Sequence, residues 1–421
     1  MRTRTRSASP RGAATLVAVM LLGLIVAMVA AYGQRSQVFE QRIAVNQVRA
    51  AQAGEAAEAG LHWALARLNG GPVDAQCRTV SAAGAAGFRE RQLVLDGDTG
   101  AIVPRQPPGA EPPSPGCVFD GTGWSCHCPD DGPAMLREPD GVGPFPAFRV
   151  RFVAGPQAGQ VRVESVGCTG PDAGCLAPDG QAGVHAARAR VSALLALRPA
   201  LAARPAAALT VRGDVTPASG TTLTAVATDG SGPAVHAGGR VDGTAVRAQT
   251  RAGTPARHAV ASDDPWLAGL TTEGLFVQLF GVAPPAWRGH AAVRELACSP
   301  ACSARALRDA ATAHPDGLLR VQGDVVLDEP LDLGSATQPL VLVVDGRLRF
   351  DAPARLHGLV HVAAPQWEPG GPGEVRGAVV AEGSVTGTAS LTIAHDTAVL
   401  RRLQHRHGTF ALVPGSWRDL P

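Results

Sequence analysis

The sequence predicts an α+β protein: a long N-terminal transmembrane helix, a small antiparallel β module, and a β-rich, solenoid-type C-terminal domain with a helical insert. Three observations predict it. A charge-free run from Ala13 to Gln34 opens a helical pattern without proline until Pro72. Alternating apolar and polar residues follow between 148 and 197. Beyond residue 208, short apolar runs recur with glycine turns between them. The composition agrees, since Gly 50, Pro 34 and only 4% aromatic residues favour turns and short strands over helix bundles.

Arg2, Arg4, Arg6 and Arg11 precede the apolar run. About 20 apolar residues at 1.5 Å rise span roughly 30 Å, enough to cross a bilayer. The basic flank is expected on the cytoplasmic side, which sends the remaining chain outward. A cleaved secretory signal is the alternative, with Val29 and Ala31 as a loose cleavage site. Against it, the helical pattern continues through Val38, Ile43, Val45, Val48, Leu61, Leu65 and Leu68. One helix of about 50 residues needs support from a membrane and from partners.

Arg11-Gly12 followed by Ala13-Ala14-Thr15-Leu16-Val17 resembles the processing site of type IV prepilins, which are cut after the glycine. The segment Asn46 to Leu61 is similar to PilX-type minor pilins. The resemblance covers residues 8 to 69 and implies cleavage between Gly12 and Ala13 by prepilin peptidase, with methylation of Ala13. It also implies passage through the inner membrane with a periplasmic head, then a place in a surface pilus. The implied partners are other minor pilins and the major pilin, with a large tip adhesin as a further candidate. Major pilins carry a glutamate at the fifth mature position, where this chain has Val17. A buried unpaired charge is costly, so a subunit without one need not sit above another; this fits a tip or priming subunit. A GspK-like pseudopilin of a type II secretion system shares these features and is the alternative.

Residues 70 to 145 are rich in proline, glycine and aspartate, and Pro107-Pro108 and Pro112-Pro113 prevent regular structure. Strands then follow. Phe148, Val150 and Phe152 alternate with Arg149 and Arg151; Val161, Val163 and Val166 follow; Val191 to Leu197 is apolar. A sheet here would cover the apolar stripe of the exported half-helix. Eight cysteines, Cys77, Cys117, Cys126, Cys128, Cys168, Cys175, Cys298 and Cys302, fit an oxidising compartment. Cys168 with Cys175 and Cys298 with Cys302 are spaced to close small loops, leaving the first four to pair among themselves. A zinc site at Cys126-His127-Cys128 is disfavoured by its spacing. Asp96-Gly97-Asp98 reads as a solvated turn in preference to a calcium site.

Val211-Arg212-Gly213-Asp214-Val215 and Val321-Gln322-Gly323-Asp324-Val325 are near copies, and Val344 to Leu348 and Ala381 to Val385 share their form. Leu342 to Val344, Leu359 to Val362 and Ala378 to Ala381 recur at about 19 residues, the spacing of stacked rungs that bury their faces only against each other. Ser262-Asp263-Asp264-Pro265-Trp266 interrupts them with a helix start. The chain thus divides into a leader (1–12), a transmembrane helix (13–69), a disulfide-tied β module (70–200), a first solenoid segment (208–261), a helical insert (262–312) and a second segment with the tail (313–421).

Enzyme chemistry is not expected, and a membrane-anchored envelope enzyme ranks third behind the pilin and the pseudopilin. The chain has no G-x-S-x-G, H-E-x-x-H or P-loop. His395-Asp396 and His405, Arg406 and His407 read as exposed polar decoration. No catalytic residue, cofactor or metal is assigned. The net charge of +2 is carried on arginine alone, as the chain has no lysine. No basic tract outside the leader points to nucleic acid.

Overall fold

The computed structural model describes residues 11–80, 87–183, 186–230, 232–290, 292–313 and 318–420. It is a mixed helix and strand fold with an apolar N-terminal helix and a β-rich C-terminal region. The helix, α1, runs over Arg11–Leu68, 58 residues without a break. It begins ahead of Ala13, so Gly12 and Ala13 lie in its first turn; leader residues 1–10 lie outside the described residues.

The C-terminal third of α1 lies on a seven-stranded antiparallel sheet. The strand order is Gly408–Leu412, Arg188–Pro199, Gln160–Cys168, Ala147–Ala154, Gly116–Phe119 and Trp124–His127, with Arg418–Leu420 also pairing Arg188–Pro199. The alternation at 148 to 152 does what its period requires: Phe148, Val150 and Phe152 are buried, and Arg149 and Arg151 point to the other face. The helix stripe that meets the sheet combines small residues, Ala53, Ala56, Ala57, Gly60 and Ala64, with Leu61 and Leu68 toward its end. Small residues are needed because the approach is close. A Cβ on Gly167 would strike the backbone of Ala53 and Ala57, and one on Gly60 would come within 2.7 Å of the Phe148 ring.

Apart from a short antiparallel pair, Leu93–Leu95 with Ile102–Pro104, the remaining strands form a stack of parallel neighbours. One inward column runs Leu319, Leu342, Val360, Val379, Leu209, Val235 and Val260, each the ladder partner of the next. The near-copied motifs have one structural job. Asp324 accepts the backbone N–H of Arg347 at 2.8 Å, and Asp214 accepts that of Arg240 at 2.8 Å, so each carboxylate clips its turn to the next rung.

Three features of this arrangement go beyond the sequence reading, and one of them, the second, departs from it. The segment 208–261 does not precede 313–421 in space: Leu209–Val211 pairs with Gly370–Ala381, and Leu223–Ala227 with Ala389–His395, so the first segment extends the last rungs. The chain must then return to the opposite end of the stack. It does so through three short helices, Pro265–Gly269, Thr272–Phe280 and Pro284–Arg288. Their Leu267, Leu275, Phe276, Phe280 and Trp287 pack in one cluster with Val341, Val343, Leu359 and Ala378.

The second difference is that span 262–312 is not wholly helical. Val293–Ser303 is an outer strand paired in parallel with Leu318–Leu327, and the ladder is irregular between Ala297 and Ala301, where Cys298 and Cys302 are bridged. Helix Ala304–Ala313 follows. The third is that the tail leaves the stack. After helix Thr397–Arg406, strand Gly408–Leu412 returns to pair with Arg188–Pro199, so 201–407 is inserted between two adjacent strands of the head sheet.

Polar ties hold the returning strand Gly408–Leu412 to the end of α1. Asn69 pairs with Phe410 like a strand residue, donating to its carbonyl at 2.9 Å and accepting its N–H at 2.7 Å. Arg89 donates to the carbonyls of Leu68 and Gly408, and its guanidinium lies 5.1 Å from the Phe410 ring centroid. Beside it, burial, together with the positive charge of Arg89 and the nearby His407, pushes the His290 imidazole down to about 4. A histidine neutral in the fold but protonated in the unfolded chain makes stability fall as the pH drops below its ordinary 6.5.

Candidate functional site

The surface most in need of a partner is the N-terminal half of α1. Thr15–Gly33 is long and apolar enough to cross a membrane, and none of that span is buried within the chain. Leu16, Val17, Leu21, Leu22, Ile25 and Val26 are all more than half exposed. A helix apolar on every side is stable only in an apolar medium, either lipid or other helices. The first turn carries no acidic residue, and Val17 is 55% exposed. The same helix is therefore divided: the first half lacks cover, and the last turns are sealed against the sheet.

On the face away from the helix, a nearly buried carboxylate ties three strands of the sheet together. Glu164 accepts hydrogen bonds from Arg151 at 2.6 Å and Arg190 at 2.8 Å across three neighbouring strands. Burial alone would raise its carboxyl pKa, but the two guanidinium hydrogen bonds prevail and hold it below the ordinary range. Its stabilising contribution is therefore complete above the ordinary 4.5 and is lost as the pH falls below that value. Glu164→Gln is expected to cost about 2 kcal/mol, because Arg151 stays partly solvated while Arg190 loses a buried counter-charge. The measurement is urea unfolding at pH 7 and pH 4, where the gap between wild type and variant should narrow at the lower pH.

The bridges are Cys77–Cys128, Cys117–Cys126, Cys168–Cys175 and Cys298–Cys302. Cys126 and Cys128 thus belong to different disulfides and offer no thiolate beside His127. No cluster of three or more His, Cys, Asp and Glu side chains occurs among the described residues. Asp96 closes its own turn by accepting the N–H groups of Asp98 and Thr99, and Asp98 pairs with Arg402 at 2.9 Å.

The histidines of the C-terminal region are not surface decoration. His395 is buried, with Nδ1 2.7 Å from Asp229 and Nε2 2.9 Å from the Pro205 carbonyl. Asp396 caps its helix by accepting from Ala398 and Val399, His405 lies 2.9 Å from the Gly97 carbonyl, and His407 is buried at the joint. A second buried pair, His361 and Glu382 at 3.2 Å, is walled by Phe276 and Phe280. Apart from the Asp396 cap, these ties join residues well separated in the chain, so spacing could not reveal them.

These features define a class: a membrane-compatible helix whose far end is built into an antiparallel β head. No protein-family model and no curated protein matches the chain. Among solved structures it is similar to the competence-associated pilin ComZ from Thermus thermophilus, with 88% of this chain and 97% of that chain covered at 11% identity and a TM-score of 0.21. A score this low does not define a common fold.

Proposed function

We propose that the protein is a minor pilin that takes part in type IV pilus assembly as a tip or priming subunit, with a β-solenoid carried outward by its head. The observation that supports this most is the divided helix, which is uncovered and apolar over Thr15–Gly33 and sealed to a sheet beyond Ala53. Such a helix can wait in a bilayer and then exchange lipid for neighbouring helices. The role is one of assembly and not of catalysis. Its partners are the inner membrane, prepilin peptidase, other pilins and a candidate tip adhesin.

Two results are expected. N-terminal sequencing of the mature protein starts at Ala13 with a methylated amine, and Gly12→Val leaves the leader in place. Deletion of the gene lowers the number of surface pili several-fold without changing the amount of major pilin. Unchanged piliation with a block in protein secretion would move the assignment to a GspK-like pseudopilin. Introducing a carboxylate by Val17→Glu should be poorly tolerated, because a charge without a partner is penalised in an apolar bundle.

A further inference from the structure

The parallel stack has one end that its cap does not fill. Leu331–Leu333 is the last strand of its ladder, paired with Ala354–Val362 on one side, and helix Ala304–Ala313 packs against it in place of a further strand. The helix covers the apolar interior with Ala304 and Leu307. Between the helix and the turn that follows Leu333, a cavity of about 240 Å³ remains. Its floor is Leu319, Leu333 and Leu340, all buried, and its walls carry Arg308, Asp332 and Gln338. Asp332 and Gln338 are exposed, so the cavity opens to solvent on their side.

Both walls are fixed before any ligand arrives. On the helix, Arg308, Ala311 and Thr312 share one face by their i, i+3 and i+4 spacing, and Arg308 donates to Glu329 and to the Pro330 carbonyl, each at 2.8 Å. Opposite them, the Gln338 N–H donates to Ser335 Oγ at 2.9 Å and the Ser335 N–H to the Gln338 carbonyl at 3.0 Å. Arg402 and Arg406 of helix Thr397–Arg406 hold the same turn through the carbonyls of Ala336 and Thr337, at 2.7 and 2.8 Å. The Asp332 carboxylate and the Gln338 side-chain amide, by contrast, have no partner among the described residues. A rigid apolar floor with a few uncommitted polar groups at its rim is the usual form of a small-molecule site.

The chemistry of the lining selects the ligand. Arg308 spends both terminal nitrogens on Glu329 and Pro330, so it is not offered to a phosphate. Asp332 stands without the further carboxylates or histidines that a metal needs. What remains is one charged acceptor, one amide that both donates and accepts, and a leucine floor. The volume lies below the roughly 300 to 1,000 Å³ of drug-sized sites, so it suits a single ring. We infer that the cavity binds the terminal pyranose of a glycan, with one C–H face of the ring on Leu319, Leu333 and Leu340 and its hydroxyls on Asp332 and Gln338. The open side lets the rest of the glycan leave through the rim. This goes beyond the assembly reading and does not depend on it.

The test is saturation-transfer NMR on the full-length chain in a detergent without a sugar headgroup, with the methyl pyranosides of glucose, galactose and N-acetylglucosamine as probes. At least one should receive saturation from the protein, most strongly on the hydrogens of one ring face. Asp332→Asn should weaken its binding about tenfold, the loss of one hydrogen bond to a charged acceptor. Ala311→Phe, which fills the cavity from the helix side, should abolish it. Thermal unfolding of both variants should match wild type; if Ala311→Phe unfolds, Asp332→Asn, a change of one group on an exposed side chain, decides alone. No probe bound, or binding undiminished in the folded variants, overturns the inference. Ethylamine bound in place of the sugars would make Asp332 an ammonium site, and inorganic phosphate bound there would make Arg308 an anion site; either result overturns it as well. A free sugar that binds while its methyl glycoside does not overturns the placement of a glycan end in the cavity.

Discussion

Gly377→Val is expected to destabilise the parallel stack by about 4 kcal/mol, a large share of the roughly 5 to 15 kcal/mol that holds an ordinary protein folded. Gly377 sits at φ +136°, a conformation closed to L side chains, and its ladder partner Gly358 sits at φ +145°. A Cβ at Gly377 would be driven into the Gly358 carbonyl, with its carbon only 2.8 Å away. Neighbouring rungs are held at about 4.8 Å by their hydrogen bonds, so the stack cannot open locally to make room. Strain and overpacking therefore add. Gly109→Val is the control: it shares a positive φ, +72°, but a Cβ there has no neighbour within 4 Å, so only the conformational cost of about 1 kcal/mol applies. Chemical denaturation of the two variants separates the terms; equal losses would show that contact between rungs is not the cause.

Replacing Cys77 and Cys128 together by serine is expected to cost about 4 kcal/mol, the largest loss among the bridges. This disulfide spans 51 residues, against 7 for Cys168–Cys175. Longer loops lose more freedom when closed, and the loop-entropy difference between the two bridges is about 1.8 kcal/mol. The bridge is tied into its surroundings: the Cys128 N–H donates to Ala75 and its carbonyl accepts from Arg91, with Cys77 and Cys128 themselves part of the buried head core. Thermal unfolding of the two double variants should rank them by loop length. If the Cys168 and Cys175 pair proves the costlier loss, local packing rather than loop closure governs the head.

Much of the architecture was legible because it is local. The lack of charge from Ala13 to Gln34 and of proline from Ala13 to Gly71 specifies a helix that needs an apolar environment. The two-residue period around Phe148, Val150 and Phe152 specifies a half-buried strand, since successive side chains must point to opposite faces. Repeated Val-x-Gly-Asp-Val marks a turn, because only a short carboxylate beside a glycine can clip one rung to the next.

What the sequence by itself determined, then, is the identity of the elements: the helix, its uncovered apolar half, the alternating strands and the turn-bounded rungs. The tertiary structure alone decided their order in space. Parallel strands pair through backbone groups that every residue carries, so nothing in Leu209–Val211 announces that it follows Val379–Ala381 and not Leu318–Val321. Likewise Gly408–Leu412 has no mark directing it to Arg188–Pro199, and His395 has none for Asp229 or Pro205. Those choices are made by burial. The head sheet closes only when its last strand returns, and the stack is covered only when three helices cross it, so the order that leaves least apolar surface in water is the one adopted.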